Sequence, residues 1–337
     1  MRSGILAGGN WIVDHVKLID GWPPQDSLAT ILSESAANGG APYNVLKDLA
    51  KLEAPFPLAA VGLVGEDANG RSILADCRAH RIDPARLQFT REAPTSYTDV
   101  MTIQATGRRT FFHLRGANAL LGPEHFDFTA TSAKLFHLGY LLLLDRLDAP
   151  GPDGRPGAAT VLSRARAAGL RTSLDCVSEN SDRFGRIAAP VLPEVDYFFA
   201  NEFEAERLTG LSLRPGDRLD RAAVEAAAAR LIGSGVRSWV FLHAPEAVYA
   251  RSAAGAGVWQ ASLRVPAAAI RGAVGAGDAL AAGILYGLHE DWSVERCLRL
   301  GVSAAASCLS HPSASAGVSP ASACLALADR WGFQGAA

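Results

Sequence analysis

Hydrophobic positions alternate along the chain between short continuous apolar runs and longer runs with helical spacing. Leu58 to Val64 is a continuous run that predicts a buried strand, whereas Val45, Leu46, Leu49 and Leu52 repeat at the spacing of one helix face. The same reading predicts further strands at 135–144, 171–176, 195–200 and 236–242, and helices at 69–80, 160–168, 202–208, 222–232, 279–289, 294–309 and 320–330. Strands that alternate with helices favour an α/β fold with a mainly parallel central sheet covered on both faces.

The segment from residue 95 to residue 114 breaks this alternation. Tyr97, Val100, Ile103 and Phe112 lie in two β-rich stretches separated by the turn-forming sequence at 105–108. Such a hairpin does not fit a series of strand–helix–strand units, so it predicts a small sheet outside the main one. The Pro- and Gly-rich stretch at 148–157 is expected to be a surface loop and not a domain boundary.

Composition narrows the range of functions. The 337 residues are 49% hydrophobic and 20% charged, with a formal net charge of −2, so a nucleic-acid-binding surface is not expected. The sequence shows neither a run long enough to span a membrane nor a signal peptide, which favours a cytoplasmic location. Five widely spaced cysteines without a C-x-x-C pair predict reduced, buried thiols, and eight scattered histidines suggest no metal site.

The sharpest chemical signal is Gly275-Ala276-Gly277-Asp278 at the start of a predicted helix. Unpaired backbone N–H groups at a helix start form an anion hole, and small side chains let a phosphate approach them closely. A carboxylate at the rim of that hole can remove the proton of an attacking hydroxyl. The plainer alternative is that Asp278 only caps the helix and that the glycines only form a turn.

Two N-terminal motifs and the G-A-G-D motif together resemble the ribokinase-like (PfkB-type) carbohydrate kinases. The motifs are Asn10-Trp11-Ile12-Val13-Asp14 and Gly39-Gly40-Ala41-Pro42-Tyr43-Asn44. The resemblance covers nearly the whole chain and implies one domain, residues 1–337, with a three-layer α/β/α fold. It also implies a small β-sheet lid formed by about residues 11–22 and 95–114. On this basis the substrate-binding residues are Asn10, Asp14, Gly40 and Asn44.

The same resemblance implies ATP and Mg²⁺ as cofactors. The segment Asn201 to Gly210 is similar to the N-x-x-E segment of the family, in which Asn201 and Glu204 orient Mg²⁺ through water and contact the triphosphate. Mg²⁺ usually keeps several water ligands, so one carboxylate and one amide are chemically sufficient. His243, Ala244 and Ala247 lie where the family has a nucleotide-binding turn, although Ala replaces two glycines there.

The sequence departs from the family at Gly272 and Ala273, where relatives have Asp and Thr before the G-A-G-D motif. Because those side chains help to bind a monovalent cation, activation by K⁺ is not expected here. The implied activity is ATP-dependent phosphorylation of a sugar hydroxyl with Asp278 as the base. Two alternatives remain open: a nucleoside kinase, for which Trp11, Tyr43 or Phe112 would supply an aromatic platform, and a non-catalytic sugar sensor.

Apolar residues on more than one face of the 95–114 hairpin suggest that the lid also forms a subunit contact. The expected assembly is therefore a homodimer formed through the lid. The expected partners are a small-molecule sugar and ATP, without nucleic acid or membrane.

Overall fold

The structure is a computed structural model that describes residues 2–335. Its strands are β1 (Ile5–Gly9), β2 (Ile12–Ile19), β3 (Ile31–Gly39), β4 (Leu58–Gly65), β5 (Ile82–Thr90), β6 (Tyr97–Ile103), β7 (Arg109–Leu114), β8 (Leu135–Leu141), β9 (Arg171–Cys176), β10 (Tyr197–Asn201), β11 (Trp239–His243), β12 (Ala247–Ser252) and β13 (Gly257–Ala261). Its helices are α1 (Ala41–Lys51), α2 (Ala68–Ala79), α3 (Gly116–Leu120), α4 (Asp145–Asp148), α5 (Gly157–Ala167), α6 (Phe184–Ile187), α7 (Glu202–Thr209), α8 (Arg221–Gly233), α9 (Ala276–His289), α10 (Val294–Cys308) and α11 (Ala321–Trp331).

The central sheet has nine strands in the order β13-β12-β11-β10-β9-β8-β1-β4-β5. The seven strands β11, β10, β9, β8, β1, β4 and β5 pair in parallel, and β12 and β13 add an antiparallel edge beside β11. Alternate side chains of a strand point to opposite faces, so Ile5 and Ala7 join one hydrophobic core and Leu6 joins the other. Helices cover both faces, which confirms the predicted three-layer α/β/α fold with a mainly parallel sheet.

A second, small sheet contains four strands in the order β3-β2-β6-β7. The strands β2 and β6 are parallel, whereas β2–β3 and β6–β7 are antiparallel pairs. The hairpin predicted at 95–114 is therefore present as β6 and β7. The register aligns Asp14 with Thr98 and Thr98 with His113, so these three side chains share one face of the small sheet.

Several strands were absent from the sequence-based prediction, among them β3, β5, β12 and β13. The strand β3 supplies one edge of the small sheet, and the hairpin of β12 and β13 ends the large sheet. Several predicted bounds also move: for example, the strand predicted at 236–242 is Trp239–His243, the strand predicted at 135–144 ends at Leu141, and the helix predicted at 279–289 begins at Ala276. The five cysteines are buried and unpaired. No helix of residues 2–335 has both the length and the apolar character needed to cross a membrane.

Candidate active site

Asp278 lies in the first turn of α9, where the large sheet ends. The residue that caps the helix is Gly275, so Asp278 is not the N-cap, contrary to the plainer alternative from the sequence. The residue is 5% exposed, and its carboxylate accepts hydrogen bonds from Asn44 Nδ2 at 2.7 Å and from the Tyr140 hydroxyl at 3.1 Å. Burial and the nearby Asp175 raise the pKa of Asp278 to about 7, although both hydrogen bonds oppose this shift.

The segment from Gly275 to Gly277 leads into this helix and leaves its first N–H groups without intrahelical partners. Gly275 has a φ of 76°, and a Cβ there would overlap the carbonyl oxygen of Ala314. Only glycine satisfies both conditions. Ala276 and Gly277 follow as the first two helical residues, so the backbone donors beside Asp278 are not covered by large side chains. This geometry fits an anion hole.

Asp14 lies close enough to Asp278 to repel its carboxylate, and Gly40 precedes the helix that carries Asn44. Asp14 is half-buried in β2, its carboxylate lies against the backbone of Gly39, and burial raises its pKa to about 7. Gly40 precedes α1 with a φ of 87°, and a Cβ at Gly40 would overlap the carbonyl oxygen of Asn10. The close packing at Gly40 therefore fixes the start of the helix that carries Asn44.

Asn44 is held by other polar side chains. Its Oδ1 accepts a hydrogen bond from Asn38 Nδ2 at 2.7 Å, and the same Asn38 nitrogen contacts Ser315 Oγ at 2.9 Å. This leaves the Asn44 amide nitrogen directed at Asp278. Asn10, by contrast, is fully buried: its Nδ2 donates to the Tyr140 carbonyl at 2.9 Å, and its Oδ1 has no hydrogen-bond partner within 2–335.

Sequence reasoning missed Tyr140 and Asp175 as site residues. Tyr140 has a φ of 36°, an uncommon conformation outside glycine, and its N–H donates to Asp175 Oδ1 at 3.1 Å. Both residues lie at or near the carboxyl ends of parallel strands, where ligands bind in α/β sheets. Their position at those strand ends was the available signal, but nothing local linked either residue to Asp278.

Asn201 and Glu204 form a capping box at the start of α7. Asn201 Oδ1 accepts from the Glu204 N–H at 2.9 Å, and Glu204 Oε2 accepts from the Asn201 N–H at 3.0 Å. The Ser178 hydroxyl, missed by sequence reasoning, donates to Glu204 Oε1 at 2.7 Å. Burial raises the pKa of Glu204 to about 8, and the nearby Asp175 and Asp278 add repulsion.

This group of acids fits a hydrated Mg²⁺. Asp175, Glu204 and Asp278 are buried and repel one another. A dication would stabilise these carboxyl groups, because an opposite charge favours their ionised forms. Among the residues described, no three His, Cys, Asp or Glu side chains are grouped closely enough to ligate a metal directly. The residues therefore suit an ion that keeps its water ligands.

A cavity of about 650 Å³ adjoins the N-terminus of α9. Asn201, His243, Ala244 and Gly277 line it, together with apolar side chains of α9 and α10. Burial lowers the pKa of His243 to about 4, so its ring is neutral near pH 7. Ala247 does not line this cavity: it begins β12, and its carbonyl accepts from the Ala244 N–H at 2.9 Å.

The three aromatic residues considered as a nucleoside platform lie elsewhere. Trp11 is fully buried and donates from Nε1 to the Val61 carbonyl at 2.9 Å, and Tyr43 packs against it at a centroid distance of 5.3 Å. Phe112 stacks on Trp22 at 6.0 Å, and its register opposite Asp99 puts it on the face of the small sheet away from Asp14. The structure thus contradicts the proposed platform.

Known proteins provide an independent comparison. A probable fructokinase-7 of Arabidopsis thaliana is 29% identical over 174 residues, which are 51% of this chain and 47% of the relative. An ATP-dependent ribose-1-phosphate kinase of Halopiger xanaduensis is 27% identical over 206 residues, 60% of this chain and 63% of the relative. The chain thus matches less than two thirds of the length of these curated relatives.

The fold and the family are matched over more of the chain. The structure of Arabidopsis thaliana ribokinase complexed with ribose and ATP superposes with a TM-score of 0.79 and 22% identity, over 97% of this chain and 99% of that one. The family profile described as "pfkB family carbohydrate kinase" matches residues 10–321. The chain, which carries its G-A-G-D motif at the start of α9, is therefore a member of the pfkB carbohydrate kinase family.

Proposed function

We propose that the protein transfers the γ-phosphoryl group of ATP to a hydroxyl of a sugar or sugar-like substrate. The observation that carries this proposal is the position of Asp278. Its carboxylate lies in the first turn of α9, hydrogen-bonded to Asn44 and near Asp14, and the preceding residues Ala276 and Gly277 line the cavity of about 650 Å³. A base beside an anion hole, between two binding regions, fits phosphoryl transfer between two bound substrates.

In this mechanism Asp278 accepts the proton of the acceptor hydroxyl. The oxygen then attacks the γ-phosphorus, the bond from that phosphorus to the bridging oxygen breaks, and ADP leaves. The N–H groups that follow Gly275 stabilise the charge on the transferred phosphoryl group. Asn44 and Tyr140 hold the carboxylate in place, and their hydrogen bonds favour its ionised form.

Glu204 and Asn201 are proposed to hold the waters of a bound Mg²⁺. The metal, when bound, neutralises charge on the β- and γ-phosphates. Glu204 is rigidly oriented, because both of its carboxylate oxygens accept hydrogen bonds. His243 and Ala244 are proposed to contact the nucleotide, since they line the adjoining cavity. The placement of Ala247 outside that cavity gives it no such role.

The small sheet is proposed to act as the lid over the acceptor. Asp14 is part of this sheet, and the residues aligned with it across the strands, Thr98 and His113, share its face. Closure of such a sheet would exclude water, so that phosphate passes to the sugar and not to solvent. We also propose that the protein acts in the cytoplasm, where its unpaired thiols would remain reduced.

The test combines an acceptor screen with a substitution. Purified protein is incubated with ATP and Mg²⁺ and a panel of sugars, polyols and nucleosides, and ADP release is measured. With the best acceptor, Asp278→Asn is expected to lower kcat by ~100- to 10,000-fold, because the amide retains the shape but not the basicity. Nucleotide binding by calorimetry should remain. A kcat above about a tenth of wild type would remove Asp278 from the base role.

The same experiment separates the alternatives. Turnover with nucleosides alone would favour a nucleoside kinase, although Trp11, Tyr43 and Phe112 offer no platform for a base. Binding of nucleotide and sugar without any ADP release would identify a regulatory protein.

A further inference from the structure

A second cavity, of about 510 Å³, lies where the tip of the β6–β7 hairpin faces the loop before α9. It is lined by residues 270–274 and by Gly107 and Arg109. Ile270 and Ala273 also line the larger cavity assigned above to the nucleotide. The two cavities therefore adjoin, and the smaller one lies beside the segment that leads into the anion hole.

Two arginines, Arg109 and Arg271, face this second cavity. Within residues 2–335, neither guanidinium pairs with a carboxylate. Arg214 near the larger cavity differs, because Glu202 and Glu246 each bind it at 2.8 Å. The larger cavity has no Lys or Arg in its lining. A triphosphate that extends from the larger cavity carries several negative charges. Arg109 and Arg271, which pair with no carboxylate within residues 2–335, lie in the lining of the adjoining smaller cavity.

The position of Arg109 depends on Gly272. A Cβ built at Gly272 would lie 3.1 Å from Arg109 Nη2 and 2.8 Å from Pro312 Cα. A larger side chain at 272 would thus occupy space next to the guanidinium and would collide with the backbone at Pro312. The glycine leaves room for Arg109 to reach the loop of the anion hole.

Arg109 also lies on the face of the small sheet that carries Asp14. Asp14 pairs with Thr98, and Arg109 pairs with Thr102, four residues further along the same strand. Residues an even number apart in a strand share a face. The face directed at the proposed acceptor site therefore ends, near the tip of the hairpin, in an arginine.

We propose that Arg109 and Arg271 form a phosphate-binding site that joins the small sheet to the anion-hole loop. The proposal rests on the proposed kinase function. Guanidinium groups bind phosphate oxygens through paired, charge-assisted hydrogen bonds, which are stronger than neutral ones. The shared lining of the two cavities favours the polyphosphate of the nucleotide as the source of the phosphate. A phosphate group on the acceptor is the other source, and the binding test distinguishes the two.

The test measures binding by isothermal titration calorimetry for Arg109→Ala, Arg271→Ala and the control Arg108→Ala. Arg108 is exposed in the same hairpin and does not line the cavity. With the non-hydrolysable ATP analogue AMP-PNP and Mg²⁺, we expect Kd to rise by about 10-fold or more for each of the first two variants. Adenosine should bind all four proteins equally, and Arg108→Ala should match wild type. Arg109→Lys should restore part of the affinity for AMP-PNP.

A second titration compares ribose with ribose 1-phosphate. If Arg109→Ala and Arg271→Ala weaken ribose 1-phosphate but neither ribose nor AMP-PNP, the phosphate comes from the acceptor. If both variants bind AMP-PNP and ribose 1-phosphate as wild type does, the phosphate site is wrong, while the kinase function remains intact. If wild-type protein binds no nucleotide at all, the kinase function itself fails.

Discussion

At the scale of single residues, the hydroxyl of Tyr140 controls how readily Asp278 ionises. The hydroxyl lies 3.1 and 3.3 Å from the two carboxylate oxygens, and its own pKa is raised well above the usual value by burial and by Asp278. It therefore stays protonated and donates. A donated hydrogen bond stabilises the carboxylate, so it holds the pKa of Asp278 below the value that burial alone would give.

This arrangement predicts the pH dependence of the reaction. If Asp278 is the base, as proposed, it acts only when ionised, so kcat/KM should fall about tenfold per pH unit as pH drops below about 7. In Tyr140→Phe the donor is lost, the pKa of Asp278 rises, and the fall should begin at higher pH. Tyr286→Phe is the control, because Tyr286 lies on the same helix but makes no hydrogen bond to Asp278. Unchanged profiles for both variants would exclude this role of Tyr140.

Asp48 is a second buried acid, but its effect is expected on stability. The side chain is fully buried in α1, and among the residues described neither oxygen accepts a hydrogen bond. Burial, with added repulsion from Asp278, raises its pKa well above the usual value. The folded state therefore holds a proton that the unfolded chain releases near pH 4, and this contribution to stability falls as pH rises from there toward the folded-state pKa.

We expect Asp48→Asn to remove that dependence. The difference in the free energy of unfolding, variant minus wild type, should increase by up to about 1.4 kcal/mol for each pH unit above pH 4. Urea unfolding at several pH values measures the difference, and Asp217→Asn in an exposed loop is the control. A constant difference across pH would mean that Asp48 titrates alike in both states.

At the scale of structural elements, the start of α9 depends on one backbone conformation. Gly275 and Gly210 are both left-handed, with φ of 76° and 70°. A Cβ at Gly275 would overlap the Ala314 carbonyl, whereas a Cβ at Gly210 meets nothing within 4 Å. The two glycines thus share a dihedral requirement but differ in packing.

The pair provides a matched test. Gly210→Ala should lower the free energy of unfolding by about 1–2 kcal/mol, the cost of the left-handed conformation. Gly275→Ala should lower it by at least about 1 kcal/mol more, because the overlap forces the backbone to shift. It should also lower kcat, since the N–H groups that follow would move; Gly210→Ala should not. Equal losses of stability in the two variants would show that the loop at Ala314 shifts to accommodate the added Cβ at little cost.

Elements with strong hydrophobic periodicity were predictable from the sequence. The continuous apolar run predicted as a strand at 58–64 is the buried strand β4, and the strand predicted at 171–176 has the same bounds in the structure. The strand β3 was missed because its residues from Ile31 to Ala36 are all exposed and show no alternation. It forms through its pairing with β2, and β12 and β13 likewise depend on pairing along the edge of the large sheet.

The residues of the candidate site also differ in how far the sequence reveals them. Asp278 was identified because small residues and a carboxylate stand together at a helix start, and Asn44 and Glu204 because their short motifs resemble those of the family. Tyr140 was not, because its contact with Asp278 joins residues 138 positions apart. The Asn38 amide is held by Ser315 across 277 positions, which no local pattern reveals. Contacts of this kind arise only when the folded chain brings distant residues together.

At the scale of the whole molecule, exposed apolar surface is concentrated on one part of the structure. The large hydrophobic side chains that are exposed among residues 2–335 lie mostly in the small sheet or its β2–β3 connection: Trp22, Leu28, Ile31, Leu32, Phe111, Phe112 and Leu114. Phe89 and Ile270 are the remaining two. A cluster of this kind usually marks an interface.

We therefore expect a homodimer in which two small sheets pack together. Phe112 and Trp22 are 51% and 49% exposed and stack on each other, and Phe112 lies on the face away from Asp14. The pair could therefore meet a partner while the other face served as the proposed lid. Light scattering across a concentration series should give twice the 35.4 kDa chain mass.

Phe112→Glu should shift the mass toward the monomer, because a charge would be buried in the contact. Phe89→Glu, at a comparably exposed aromatic position outside the small sheet (45%), should leave the dimer intact. A mass near 35.4 kDa for wild type at all concentrations would mean that the exposed aromatic pair serves no subunit contact.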